Sequence, residues 1–196
     1  PAPNSSYHYL MEYTPLSQER KSRIHPGEIY FWTATIHNWL PLLGPDPYKD
    51  VIIQSLQFLS DAGKIDVYAF VIMPNHLHLI WKINAPNGKE SPHGSLLKYT
   101  AHEFKKMLRK DDPHKLTPFS VNLSNKDYEF WQRDSLAIPL FTRRVALQKL
   151  KYMHYNPLAG KWRLVIDPCD YKYSSAGFYE RGDVSFPFLK NLFDVL

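Results

Sequence analysis

Two histidines separated by one residue, His76-Leu77-His78, sit in the run Val71-Ile72-Met73-Pro74-Asn75-His76-Leu77-His78-Leu79-Ile80-Trp81. Alternate residues of a β-strand share a face, so both imidazoles project to one side while Leu77, Leu79 and Trp81 pack the other. Two imidazoles on one pleat supply part of a divalent-metal site, and a third ligand must come from elsewhere in the chain. The bland alternative is a half-buried strand with two hydrogen-bonded histidines. Further along, Tyr152 and Asn156 are spaced so that a phenol and a carboxamide oxygen lie on nearly the same helical face. A phenol, with its ordinary pKa of about 10, needs an activating environment to act as a nucleophile at neutral pH, and a nearby cation plus basic side chains would supply one. Phosphoryl transfer is the matching chemistry: a metal on His76 and His78 polarises a phosphodiester in line with the Tyr152 oxygen. Against this, Tyr152 also suits an ordinary amphipathic helix, and Asn156 an ordinary helix terminator, because the ring of Pro157 disfavours a helical conformation in its neighbour.

The elements that must position these groups are legible in outline. Glu28 to His37 alternates aromatic and β-branched residues and predicts a strand. Pro41, Pro45 and Pro47 predict a turn region, after which Val51, Ile52, Ser55, Leu56 and Leu59 recur at helical spacing until Gly63. Ile65 to Met73 is apolar on both faces, the mark of a central strand, and Pro74-Asn75 turns it into the His-x-His strand as an antiparallel hairpin. A helix from about Ser91 to Lys110 carries Leu97, Ala101, Phe104 and Leu108 on one face and ends at Asp111-Asp112-Pro113. Residues 113 to 141 look irregular, a mobile or inserted segment with an aromatic knot at Tyr128, Phe130 and Trp131. Thr142 is the expected N-cap of a helix carrying Val145, Leu147, Leu150 and Met153 that closes near Asn156-Pro157. The tail from Asp167 reads as turns with a short amphipathic end. The succession predicts an α+β fold, an antiparallel β-sheet with helices packed on one side and ferredoxin-like in character, with the histidine strand near the sheet centre.

At 196 residues and 44% hydrophobic content, the chain has room for one well-buried domain. No stretch approaches the roughly 18 uninterrupted apolar residues of a membrane span, and the start, Pro1-Ala2-Pro3-Asn4-Ser5-Ser6, lacks the segments of a secretory signal. The expectation is a soluble cytoplasmic protein. Cys169 is the only cysteine, which excludes an intrachain disulfide and a cysteine-based metal cluster. The net charge of +5 is unevenly spread: Ser135 to Ile166 contains no acid but holds Arg143, Arg144, Lys149, Lys151, Lys161 and Arg163. A second basic group is Lys98, Lys105, Lys106, Arg109 and Lys110. Interleaved with Trp131, Tyr152, Tyr155 and Trp162, such stripes suit a phosphate backbone and stacked bases, or else a solvated surface.

Four ordered blocks carry a resemblance over roughly residues 28 to 180. Met73-Pro74-Asn75-His76-Leu77-His78-Leu79-Ile80, Phe130-Trp131-Gln132-Arg133, Tyr152-Met153-His154-Tyr155-Asn156-Pro157-Leu158 and Tyr171-Lys172-Tyr173-Ser174-Ser175-Ala176 together resemble the single-tyrosine HUH transposases, and among them the REP-associated tyrosine transposases of bacteria. The resemblance implies an HUH endonuclease/transposase domain over 27–180, flanked by an N-terminal arm or extension, 1–26, and a C-terminal tail, 181–196. It implies a bacterial, nucleoid-associated enzyme that nicks and rejoins single-stranded DNA at hairpin-forming repeats through a 5′-phosphotyrosine, leaving a free 3′-hydroxyl. Tyr152 is then the nucleophile, with His76, His78 and Asn156 as metal ligands. The cofactor implied is Mg²⁺ or Mn²⁺, whereas ligand softness alone would favour zinc or another transition metal on two imidazoles. Single-stranded or hairpin DNA is the expected partner, held by Lys105, Lys106, Arg109, Arg133, Arg143, Arg144, Lys149 and Lys151; a homodimer is the slightly favoured assembly. Tyr155 is a rival nucleophile, and His154 falls on another helical face and reads as a packing residue. Two further readings stay open: a DNA-binding module that no longer cleaves, and a metal-dependent nuclease in which water replaces the tyrosine.

Overall fold

The computed structural model describes residues 24–123, 126–133, 135–160 and 162–196. The expected N-terminal arm, apart from 24–26, and Lys161 of the basic stretch lie outside the described residues. In chain order the elements are β1 (Ile29–Thr35), α1 (Asp46–Asp61), β2 (Ile65–Met73), β3 (His76–Ile83), α2 (Pro92–Asp111), β4 (Ser120–Leu123), β5 (Lys126–Tyr128), β6 (Leu136–Pro139), α3 (Arg143–Tyr155) and α4 (Ala176–Arg181). Four of the strands make one antiparallel sheet in the order β2-β3-β1-β6. With α1 linking β1 to β2 and α2 leading from β3 towards β6, this is the ferredoxin-like α+β arrangement that the sequence predicts. The histidine strand β3 is internal, paired with β2 through the expected Pro74-Asn75 turn and with β1 on its other side.

Strand alternation sorts the side chains onto two covered faces. Leu77, Leu79 and Trp81 of β3 join Trp32 and Ala34 of β1 in a core shared with Ile52 and Leu56 of α1 and with Leu96 and Phe104 of α2. Ile80 of β3 and Phe31 of β1 point the other way and pack with Ala146, Leu150 and Met153 of α3. The helices are therefore not all on one side: α3 lies on the face that also carries His76 and His78, and this is what brings Tyr152 to them. The hydrophobic pattern of a helix shows that one stripe is buried but not which face of the sheet receives it.

Two local details also differ from expectation. Pro47 does not prolong a turn; it sits in the first turn of α1, where its missing N–H has no partner to lose. Gly63, by contrast, ends that helix as expected, with a positive φ of 67° that suits a residue without Cβ. The face of α2 turned to the core is Leu96, Thr100, Phe104 and Leu108, with Leu97 and Ala101 at its margin. Thr100 is fully buried there because its hydroxyl donates to the Leu96 carbonyl (2.8 Å) and accepts from Trp131 Nε1 (2.9 Å).

The strand β2 is buried along its whole length yet ends the sheet order rather than lying at its centre. Its outer edge is clothed by the C-terminal segment. Ile72 N–H donates to the Tyr173 carbonyl (2.9 Å), Ser175 N–H to Phe70 (2.9 Å) and Lys190 N–H to Val67 (2.9 Å). The hydroxyls of Tyr171 and Tyr179 donate to the carbonyls of Ile72 (2.7 Å) and Tyr68 (2.8 Å). Residues 113–141 are also more regular than their sequence suggests, with a 3-10 turn at Pro113–Phe119, the β4-β5 hairpin and the edge strand β6. Phe130 and Trp131 dock on Phe104 at ring separations of 6.2 and 6.0 Å, tying the segment to α2.

Candidate active site

The site is built on a pair of neighbouring strands and one helix. Thr33 of β1 stands directly opposite His78 of β3, and Thr35 opposite His76. That register puts the Thr33 hydroxyl 2.7 Å from His78 Nδ1. His78 Nε2 is buried and has no hydrogen-bond partner among the described residues. At His76 the neighbouring residue decides the tautomer. Asn75 Nδ2 donates to the Trp39 carbonyl (3.2 Å), which turns Asn75 Oδ1 towards His76 Nδ1 at 2.7 Å. An amide oxygen can only accept, so His76 Nδ1 carries the proton and the lone pair of the neutral ring is on Nε2.

Burial also fixes the charge state. His76 is 9% exposed and its pKa is pushed down to about 4 by burial. His78, 5% exposed, is held well below the usual range by burial, with further lowering from the charges of His76 and Lys149. Both rings are neutral at neutral pH, the form that can ligate a cation. Their centroids are 4.8 Å apart, and the Tyr152 ring stands 5.5 Å from that of His78. Phe31 stacks on His78 (5.0 Å) and meets Tyr152 edge-on (6.1 Å), wedging the two rings at a fixed separation. Tyr152 itself is 52% exposed, so its hydroxyl end is reachable from solvent.

Asn156 keeps helical dihedrals (φ −57°, ψ −42°) despite Pro157, and its N–H bonds to the Met153 carbonyl. It therefore stays one turn beyond Tyr152 on the same side of the helix. Among the described residues no third histidine, cysteine, aspartate or glutamate joins His76 and His78. The Asn156 carboxamide, a neutral oxygen donor, is the candidate that the sequence offers as a third. An unpartnered, buried imidazole nitrogen beside a ring whose tautomer frees its own Nε2 fits a cation-binding pair. Of the two tyrosines, Tyr152 is the one whose ring meets His78 and Phe31, while Tyr155 lies beside Lys151 (5.6 Å to the ring); His154 is buried with Nε2 3.0 Å from the Ser175 hydroxyl, a packing role.

The basic residues divide between two faces. Lys149 reaches the site, its ammonium 4.9 Å from the Phe31 ring and 5.8 Å from that of Tyr152. Arg143, Arg144 and Lys151 are exposed on the same helix, with Arg143 over Phe193. Arg133 follows Trp131, which bridges Ile36 at the end of β1, and pairs with Glu129 (3.2 Å). Lys105, Lys106 and Arg109 are on α2, whose packing puts them beyond the opposite face of the sheet from Tyr152. The sequence leaves Phe31, Thr33, Trp39 and Asn75 unremarked as site residues. Asn75 could have been found from its place beside His76, whereas Thr33 and Phe31 need the strand register.

No protein-family model matches the chain, and no curated protein matches it. Among solved structures, a REP-associated tyrosine transposase bound to a REP hairpin aligns over 88% of both chains, with a TM-score of 0.56 and 16% identity. A protein from Deinococcus radiodurans described as a candidate transposase covers 68% of this chain and 94% of its own, with a TM-score of 0.41 and 15% identity. The chain thus has the fold of the first of these, which is the fold that the sequence resemblance implies. No helix among the described residues is long and apolar enough to cross a membrane.

Proposed function

We propose that this chain nicks and rejoins single-stranded DNA at hairpin-forming repeats, with Tyr152 as the nucleophile. The observation that carries the reading is the meeting of Tyr152 with His78, whose Nε2 is buried without a partner while Thr33 occupies its Nδ1. In the step proposed, Tyr152 Oη forms a bond to phosphorus while the bond from phosphorus to the 3′ oxygen breaks. The phenolic proton leaves the nucleophile and the departing 3′ oxygen takes one up, which leaves a 5′-phosphotyrosine and a free 3′-hydroxyl. Attack by a 3′-hydroxyl on that ester reverses the exchange and rejoins a strand. A divalent cation, Mg²⁺ or Mn²⁺, held by His76 and His78 with Asn156 as the candidate third donor, would polarise the phosphodiester and offset charge in its transition state.

The protein's own groups prepare this chemistry. Phe31 holds the phenol against His78, and Lys149 supplies a positive charge where the phosphate would sit. Arg143, Arg144 and Lys151 extend that charge along the exposed side of α3 for neighbouring phosphates, and Arg133 adds to it from the end of β1. Lys105, Lys106 and Arg109, on the opposite face of the sheet, could meet only phosphates well away from the reacting one.

The test is incubation with an end-labelled, single-stranded repeat hairpin and Mn²⁺, followed by a denaturing gel. A covalent protein–DNA adduct is expected that Tyr152→Phe cannot form and Tyr155→Phe retains. An adduct that survives Tyr152→Phe overturns the assignment. Cleavage without any adduct would make water the nucleophile, and hairpin binding without metal uptake or cleavage would leave a DNA-binding module.

A further inference from the structure

Between β1 and α1 the chain makes a short 3-10 turn, His37–Trp39, that the proposed reaction does not use. Asn38 (φ 51°) and Trp39 (φ 57°) are consecutive non-glycine residues with left-handed backbone, a conformation that L-residues avoid and that tends to persist at functional sites when neighbours hold it. The neighbours here do hold it. Trp39 N–H donates to the Ile36 carbonyl (2.9 Å), Leu40 N–H to His37 (3.2 Å), and Asn75 Nδ2 to the Trp39 carbonyl (3.2 Å). Asn75 is also the residue that sets the His76 tautomer, so the turn and the imidazole are fixed by one side chain.

A rigid backbone here presents an exposed ring. Trp39 is 57% exposed, whereas Trp32 and Trp81 are wholly buried and Trp131 is 6% exposed. The indole stands edge-on to His76 at 6.1 Å, and the rings continue as a row through His78 (4.8 Å) to Tyr152 (5.5 Å). The platform is thus at one end of the candidate site and the nucleophile at the other. Glu129, 3.8 Å from His37 Nδ1, is paired with the Arg133 guanidinium (3.2 Å), so its charge does not stand bare against a phosphate.

We propose that Trp39 is a stacking platform for an unpaired nucleobase of the strand whose phosphate lies at His76, His78 and Tyr152. This rests on the reading of that site as one for single-stranded DNA. Every nucleobase has a π face, so an indole platform holds a strand in place without dictating its sequence, and the turn's fixed backbone spares the ordering cost that a mobile tryptophan would incur. The ligand class is a flipped-out or single-stranded base, because bases inside a duplex are stacked on their own neighbours and have no face to offer the ring.

The test compares binding of two probes: a short oligothymidylate and a strand of the same length and charge built of abasic phosphates. Wild type should prefer the thymidylate and show quenched tryptophan emission on binding it. Trp39→Ala should bind thymidylate roughly 5- to 150-fold more weakly, the loss of one base–aromatic stack, while its abasic binding stays unchanged. Trp39→Phe, which keeps an aromatic face, should recover most of the preference. Unchanged thymidylate affinity in Trp39→Ala, or an equal loss for both probes, overturns the proposal. Binding is read without any cleavage, so a failed platform and a failed Tyr152 nucleophile appear in separate experiments.

Discussion

Replacing Thr33 by valine separates a ligating His78 from a merely packed one. Valine keeps the branched shape and the strand preference of threonine but removes the hydroxyl that lies 2.7 Å from His78 Nδ1. Because His78 is 5% exposed and its Nε2 already lacks a partner, the variant leaves the whole ring without a hydrogen bond. An unsatisfied buried group costs about 1–3 kcal/mol. The methyl that replaces the hydroxyl returns at most about 0.8 kcal/mol at this half-buried position. The net loss is about 0.2–2 kcal/mol, which for a chain of 196 residues lowers Tm by up to about 8 °C. Loss of the partner that orients a ligating histidine should also weaken Mn²⁺ binding roughly 10- to 100-fold. Thermal melting followed by circular dichroism reads the first effect and titration calorimetry the second. A variant that melts with the wild type contradicts the hydrogen-bond argument. One that melts lower but binds Mn²⁺ as tightly removes His78 from the ligand set.

Three further outcomes are expected. Thr142→Ala deletes the hydroxyl that accepts from Val145 N–H (3.3 Å) at the start of α3, and should cost about 1 kcal/mol in chemical denaturation; an unchanged midpoint would mean that the cap is idle. At Asp66, burial pushes the carboxyl pKa up, but hydrogen bonds from Lys190 (2.6 Å) and Lys82 (2.8 Å) more than offset it, so the folded value lies below the usual 3.8. The stabilisation is therefore complete above that usual value and is lost as pH falls through the depressed one; Asp66→Asn should flatten this acid limb, and an identical acid transition would refute the assignment. Lys149→Gln should reduce the dependence of log affinity for single-stranded DNA on log salt by about 0.7, the share of one phosphate contact, and an unaltered slope would take Lys149 off the backbone.

The sequence exposes what is periodic and local. His76, His78 and their common pleat, the stripe of α1, the Phe104 and Leu108 part of the α2 stripe, the Gly63 stop and the Thr142 cap are all dictated within a few residues of themselves. Which face of the sheet receives α3 is a tertiary fact, and it decides whether Tyr152 meets the histidines at all. The apolar run of β2 implies burial on every side, but burial can come from another strand or from a returning tail, and here Tyr173, Ser175 and Lys190 supply it. β6 stays hidden because its four half-buried residues offer no clean alternation. Thr33 and Phe31 become site residues only through the β1-β3 register, and Trp39 only through a left-handed backbone that no neighbouring glycine announces.

The clothed edge of β2 also sets a timetable for the chain as it is made. Ser175, which closes on Phe70, comes 105 residues after it. At a synthesis rate of about 5–20 residues per second, a nascent chain carries that strand with a bare row of N–H and C=O groups for on the order of 5–20 seconds before its cover exists. Throughout that interval the half-finished protein is a template for pairing with its neighbours on the same message, and a chain that stopped short of Tyr171 would remain one.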